Sequence, residues 1–200
     1  MFRNPDPAAI CALLREVRTV AVVGLSPNPG RPAFRIARAL QGFGYRIIPV
    51  RPKVESVLGE KAYASLSEVP DRIDLVDVFR AAEHVGPLVD ECLRLGLKRL
   101  WLQDGIVNEA AAAKASAAGM TVVMDRCIWR DLVSQCAEVA DAGDDEGLLG
   151  GSSGTRLVEP EPDEQIGAEA DQLPEDEHLE EVVGEDESEL LRKHFDKALA

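Results

Sequence analysis

The sequence predicts an α/β protein, a Rossmann-like doubly wound parallel sheet of about five strands, with a disordered acidic C-terminal tail. Three observations predict it. Five apolar runs of four to six residues are continuous rather than alternating, as strands covered on both faces must be. Helical patterns stand between these runs, the order that builds parallel sheets. Charge then divides the chain: residues 1–136 carry 18 Lys+Arg and 15 Asp+Glu, whereas residues 137–200 carry 4 and 21. The acidity therefore belongs to the tail, and the boundary falls near residue 140, with 1–140 as the folded domain and 141–200 as the tail.

Local signals justify each element in turn. Asp6-Pro7 opens a first helix with a capping carboxylate and a first-turn proline. Ile10, Leu13, Leu14 and Val17 recur on one face of it. Residues 19–23 form the first strand, which Gly24 ends. A loop stiffened by Pro27 and Pro29 leads to a helix over about 32–43, stopped by Gly44. Residues 45–50 are the second strand, with Pro49 near its end because proline donates no ladder hydrogen bond. Residues 54–63 read as an irregular excursion and 67–69 as a short turn. The third strand covers 75–79 and precedes a helix over about 82–95 that Gly96 closes. Residues 99–102 are the fourth strand, and Asn108 caps an alanine-rich helix that Gly119 ends. The fifth strand is 121–124, followed by a terminal helix over 129–139. Beyond it, two glycine-rich stretches read as linker and the acidic stretch as disordered. Leu191, Phe195 and Leu199, spaced by four, predict a short amphipathic helix over 187–199.

Composition narrows the function classes. Cys11, Cys92, Cys127 and Cys136 show no CxxC spacing and no histidine cluster, so no metal site is expected. The core is long enough to stand without a disulfide staple. No signal peptide or membrane span is expected either, and reduced thiols in a cytoplasmic protein fit these features. Nucleic acid is not an expected partner, since the core excess of three charges is slight and the tail would compete with phosphates. The tail leaves open a basic protein partner, and the core a homo-oligomer.

The chemistry gathers where strands end. Gly24 and Gly30 flank a loop between a buried strand and a helix, an arrangement that aims free N–H groups and the helix dipole at one spot suited to a phosphate. Ser26 and Asn28 add polar side chains there. The spacing matches neither G-x-G-x-x-G nor a P-loop, and a strand–glycine–helix turn also occurs without any ligand. After the second strand stands Arg51-Pro52-Lys53, where an NAD site would place an acidic residue. A cation there suits a ligand phosphorylated on its adenosine ribose, coenzyme A or NADP, although a solvated loop arginine beside Glu55 is a common alternative. Arg80, Gln103-Asp104-Gly105 and Arg126 follow the next three strands. Cys127 is the one residue that an enzyme using NADP or CoA would recruit as a nucleophile; the alternative is an inert thiol. Asp77, in an apolar strand, reads as a hydrogen-bonding residue at the sheet end.

Taken together, Val23-Gly24-Leu25-Ser26-Pro27-Asn28-Pro29, Arg31-Pro32, Gly44-Tyr45-Arg46-Ile47-Ile48-Pro49-Val50, Leu58-Gly59, Tyr63, Asp77-Val78-Phe79-Arg80, Trp101-Leu102-Gln103 and Arg126-Cys127 carry a resemblance. Over roughly residues 5–137 the chain resembles the small stand-alone CoA-binding proteins, which are similar to the nucleotide-binding domain of the succinyl-CoA synthetase alpha subunit. The resemblance implies a domain that holds the adenosine and phosphate portion of coenzyme A. It implies that Gly24, Leu25, Ser26, Pro27, Asn28, Arg31 and Pro32 line the phosphate loop. Val50, Arg51, Pro52, Val78, Phe79 and Arg80 would flank the adenosine, and Gln103 to Gly105 would complete the rim. The family usually carries Asn-Pro where this chain has Arg51-Pro52, so the ribose contact is expected to differ. Succinyl-CoA synthetase uses a phosphorylated histidine in a second domain. Here His84 lies in a helix and His178 and His194 lie in the tail, so no catalytic set is expected. The expected activity is therefore binding of CoA or an acyl-CoA. The alternatives are an enzyme acting through Cys127 and a scaffold acting through the acidic tail.

Overall fold

In the computed structural model, residues 2–136 are described. The linker, the acidic stretch and the helix expected over 187–199 lie outside them. Strands β1 (Thr19–Val23), β2 (Arg46–Val50), β5 (Leu75–Val78), β6 (Arg99–Leu102) and β7 (Thr121–Val123) form one parallel sheet in the order β2-β1-β5-β6-β7. The two remaining strands, β3 (Ser56–Val57) and β4 (Glu60–Lys61), make a small antiparallel hairpin outside it.

Alternation along each strand sorts the core into two layers. Val20, Val22, Ile47, Leu75, Trp101 and Val123 face α1 (Pro7–Glu16), α2 (Pro32–Gly42) and α5 (Ile128–Arg130). Ala21, Val23, Ile48, Val50, Val76, Val78, Leu100 and Leu102 face α3 (Val85–Arg94) and α4 (Glu109–Ala117). Both faces are thus covered, which is why the strand runs lack a polar phase. Asp6 caps α1 by accepting from the Ala9 N–H at 2.8 Å, and Asn108 caps α4 by accepting from Ala111 at 3.0 Å. Tyr45 is buried against the first layer and its hydroxyl donates to the Leu14 carbonyl at 3.0 Å.

The chain runs outward from β1 to β2 and then returns past β1 to β5. The winding reverses at the carboxyl ends of β1 and β5, the place where doubly wound sheets bind ligands.

Four expectations need correction. The excursion over 54–63 is ordered: Leu58 and Gly59 take φ of 55° and 76°, the left-handed pair that closes a two-residue hairpin turn. Tyr63 ties the excursion back to the sheet, its N–H donating to the Pro49 carbonyl at 3.0 Å while its carbonyl accepts from Arg51 at 2.8 Å. The helix expected from residue 82 begins instead at Val85, after a 3-10 turn at Ala82–His84. Pro87 explains the shift, because it has no N–H for the residue 83 carbonyl and its ring crowds that group. The terminal helix begins at Ile128 and passes into a π-helical turn at Asp131–Gln135. Finally, Cys11 and Cys136 are joined as a disulfide, 125 residues apart, which fastens α1 to the end of the described chain. The expectation of four reduced thiols fails for this pair, because packing of α1 against the terminal turn brings together two buried sulfurs that nothing local in the sequence connects. The cytoplasmic reading loses the support it drew from them.

Candidate functional site at the carboxyl edge of the sheet

Three strand ends meet at Gly24. Its N–H donates to the Val50 carbonyl at 2.9 Å, and the Phe79 N–H donates to the Val23 carbonyl at 2.9 Å. Gly24 holds φ of 90°, and a Cβ there would stand 2.5 Å from the Phe79 carbonyl oxygen and 3.1 Å from Arg80 Cγ. Only glycine lets these backbones approach so closely. Around it lies a cleft of about 330 Å³ lined by Gly24, Val50, Arg51, Pro52, Phe79, Arg80 and Ala81.

The loop after Gly24 is folded by its own hydrogen bonds. The Asn28 N–H donates to Ser26 Oγ at 3.2 Å, the Gly30 N–H donates to Asn28 Oδ1 at 2.8 Å, and the Arg31 N–H donates to the Asn28 carbonyl at 3.1 Å. The side-chain oxygens of Ser26 and Asn28 are therefore engaged inside the loop. The Ser26 hydroxyl proton and the Asn28 amide N–H groups remain as donors, the polarity an anion needs. Arg31 sits at the N-cap of α2 with no side-chain capping bond, and Pro32 follows at the first turn. The α2 N-terminus therefore keeps its positive end uncapped by any side chain.

The predicted residues do not all share one surface. Gly24, Val50, Arg51, Pro52, Phe79 and Arg80 come together in the cleft. Ser26, Pro27, Asn28, Arg31 and Pro32 stand on the adjoining loop and helix start, accessible to solvent. Leu25 and Val78 are fully buried in the core, so only their backbones reach the edge. Gln103 is also buried: its Nε2 donates to Asp77 Oδ1 at 2.7 Å. Gly105 lies at the end of β6, where its N–H donates to Asp125 Oδ1 at 2.7 Å. Arg126, expected as an anion contact, is held by Asp131 through two hydrogen bonds at 2.6 and 2.8 Å, and Arg130 is held likewise by Asp104. These pairs take Arg126 out of the reckoning as a free cation.

Two titratable groups beneath the edge are perturbed. Burial pushes the Asp77 carboxyl up to about 7 against the opposing hydrogen bond from Gln103, and its Oδ2 is the one buried side-chain polar atom without a partner among the described residues. The Cys127 thiol, at the start of α5, is also pushed up, chiefly by burial. Such a thiol is protonated near neutrality and a poor nucleophile. No group of three or more His, Cys, Asp or Glu able to hold a metal occurs among the described residues, and none of their helices is long and apolar enough to cross a membrane.

Fold and edge together define a class, the Rossmann-type nucleotide-binding domain with a cleft at its topological switch. Residues 18–132 match the family described as the CoA binding domain, and the chain belongs to that family. It is 41% identical over 127 residues to the Bacillus subtilis (strain 168) uncharacterized protein YneT, covering 64% of this chain and 94% of that one. It is 35% identical over 83 residues to the ADP-forming acetate–CoA ligase II of Archaeoglobus fulgidus, covering 40% of this chain but only 12% of the ligase. A solved hypothetical protein from Pyrococcus horikoshii OT3 superposes with a TM-score of 0.62 at 34% identity, over 66% of this chain and 94% of that one. The domain is thus homologous to the nucleotide-binding module of ADP-forming acyl-CoA ligases.

Proposed function

We propose that the chain binds coenzyme A or an acyl-CoA without transforming it, holding the phosphorylated adenosine at the carboxyl edge of the sheet. The observation that carries the reading is the cleft at the β1–β5 switch, which Arg51 and Arg80 flank over the bare backbone of Gly24. Neither arginine has an ion-pair partner among the described residues. The pyrophosphate lies against the Ser26–Asn28 loop and the start of α2, where N–H donors and the helix dipole favour negative charge. The ribose phosphate lies against Arg51, and the adenine ring between Pro52 and the Phe79–Arg80 backbone. Membership of the CoA binding domain family and the likeness to CoA ligases support this choice of ligand over NADP. The half-buried Cys127 thiol, held above the usual thiol range chiefly by desolvation, speaks against the enzyme reading.

Calorimetry with CoA, dephospho-CoA, NADP and NAD tests it. CoA is expected to bind most tightly, and Arg51→Ala should weaken CoA more than dephospho-CoA by about 1–3 kcal/mol, the range of a hydrogen bond to a charged group. Equal affinity for CoA and dephospho-CoA would remove Arg51 from the site. Absence of binding by all four ligands overturns the proposal.

A further inference from the structure

Ion pairs stand at both edges of the sheet, Arg126–Asp131 and Arg130–Asp104 at the carboxyl edge beside β6 and β7, but the cations around the β1–β5 switch lie outside them. At the amino edge of the sheet Arg46 pairs with Asp71, Arg72 with Asp74, and Arg99 with Glu16. At the carboxyl edge Arg31, Arg51, Lys53 and Arg80 have no ion-pair partner among the described residues, nor do Arg35 and Arg38. Arg31, Arg35 and Arg38 are exposed and stand at i, i+4 and i+7, one stripe of α2 that begins beside the loop. Among carboxylates exposed to solvent, Glu55 and Glu83, neither in an ion pair, are the nearest to this cluster in sequence, against its six cations. A ligand with three phosphate groups accounts for Arg51 and Arg80, but the α2 stripe runs away from the cleft along the helix.

The chain itself supplies a matching charge. Residues 175–189 hold nine Asp or Glu and no Lys or Arg. The described residues end at Cys136, within the layer that also contains α2, where Phe43 and Trp129 stack edge to face at 5.0 Å. Thirty-eight residues separate Cys136 from Glu175. About ten extended residues already span a domain of this size, at roughly 3.3 Å each, so distance is no barrier.

We propose that residues 175–189 dock on the Arg31–Arg35–Arg38 stripe and the adjoining carboxyl edge, as an intramolecular polyanion that competes with the phosphorylated ligand. The inference rests on the proposed ligand site for its competition, and on charge placement alone for its docking. Tethering raises the local concentration of the segment to the millimolar range, enough for weak ionic contacts to matter at low salt.

The test uses the full chain and a full-length variant with the nine acids neutralised, Glu175→Gln, Asp176→Asn and so on through Glu189→Gln. Amide NMR spectra of the two at low salt should differ at Gly30, Arg31, Arg35 and Arg38, and the differences should vanish at about 0.5 M salt, where the Debye length falls to a few ångströms. CoA affinity at low salt should rise about fivefold in the neutralised variant and be equal in the two at high salt. Arg35→Glu with Arg38→Glu, outside the cleft, should remove the docking stripe, so that neutralising the nine acids in this background no longer shifts Gly30 and Arg31. If CoA binds neither form yet the spectra differ, the ligand reading fails and the docking stands without its competition. Spectra identical at the α2 stripe overturn the docking, and equal CoA affinity at low salt overturns the competition. Identical spectra would leave the acidic segment available to a separate basic partner.

Discussion

Asp77 is the most deeply buried polar residue among those described. With its carboxyl near 7 in the fold and near 3.8 unfolded, the native state keeps a proton that the unfolded chain releases between those values. Stability therefore falls as pH rises from about 4 to 7, by on the order of 4 kcal/mol in total, and stays at the lower level above 7. Asp77→Asn removes the titration while keeping an acceptor for Gln103. Chemical denaturation should find it more stable than the parent at pH 8, with the gap closing by pH 4–5; an unchanged pH profile would show that Asp77 is not the group responsible. Gly24→Ala tests the neighbouring backbone. Positive φ and the Phe79 carbonyl together should cost about 2 kcal/mol or more, read as a lower denaturation midpoint, with ligand affinity falling alongside. Both glycine and aspartate were visible as residues of interest. The Asp77–Gln103 bond was not, because 26 residues separate partners that only strand pairing sets side by side.

Among the elements, α1 and the terminal turn are the pair that a covalent bond joins. Under non-reducing denaturation a thiol count should give two, Cys92 and Cys127, and four after reduction. Reduction, or Cys136→Ser, should lower stability by roughly 2–4 kcal/mol, because closing so long a loop restricts the unfolded chain. A count of four before reduction would refute the bond. Most other elements were legible within a residue or two, since caps such as Asp6 and Asn108 and stops such as Gly44 and Gly96 act locally. The β3–β4 hairpin escaped notice because its strands are two residues each, too short for an alternating pattern, and Leu58 is an unusual occupant of a left-handed turn position. Its Gly59 was the available signal.

The whole domain works as one frame that carries the edge, so ligand binding should register as global stability. CoA at a hundredfold excess over its dissociation constant should add about 2.7 kcal/mol to unfolding, read from the denaturant midpoint, and Arg51→Ala should shrink that gain at the same CoA concentration. A midpoint indifferent to saturating CoA would contradict binding to the native fold. At this scale the distribution of charge also becomes meaningful: ion pairs brace the amino edge and the β6–β7 end of the carboxyl edge, while Arg31, Arg51, Lys53 and Arg80 around the switch and Arg35 and Arg38 along α2 have no ion pair among the described residues.

The amino-acid sequence by itself determined the alternation of strands and helices, the glycine loop and the cations that follow the strands, since each depends on residues close together in the chain. Tertiary structure alone decided which of those cations stay free. It gave Arg126 to Asp131, turned Gln103 inward to Asp77 and joined Cys11 to Cys136. Those outcomes depend on which side chains meet across the sheet and between helices, and spacing along the chain carries no record of such meetings.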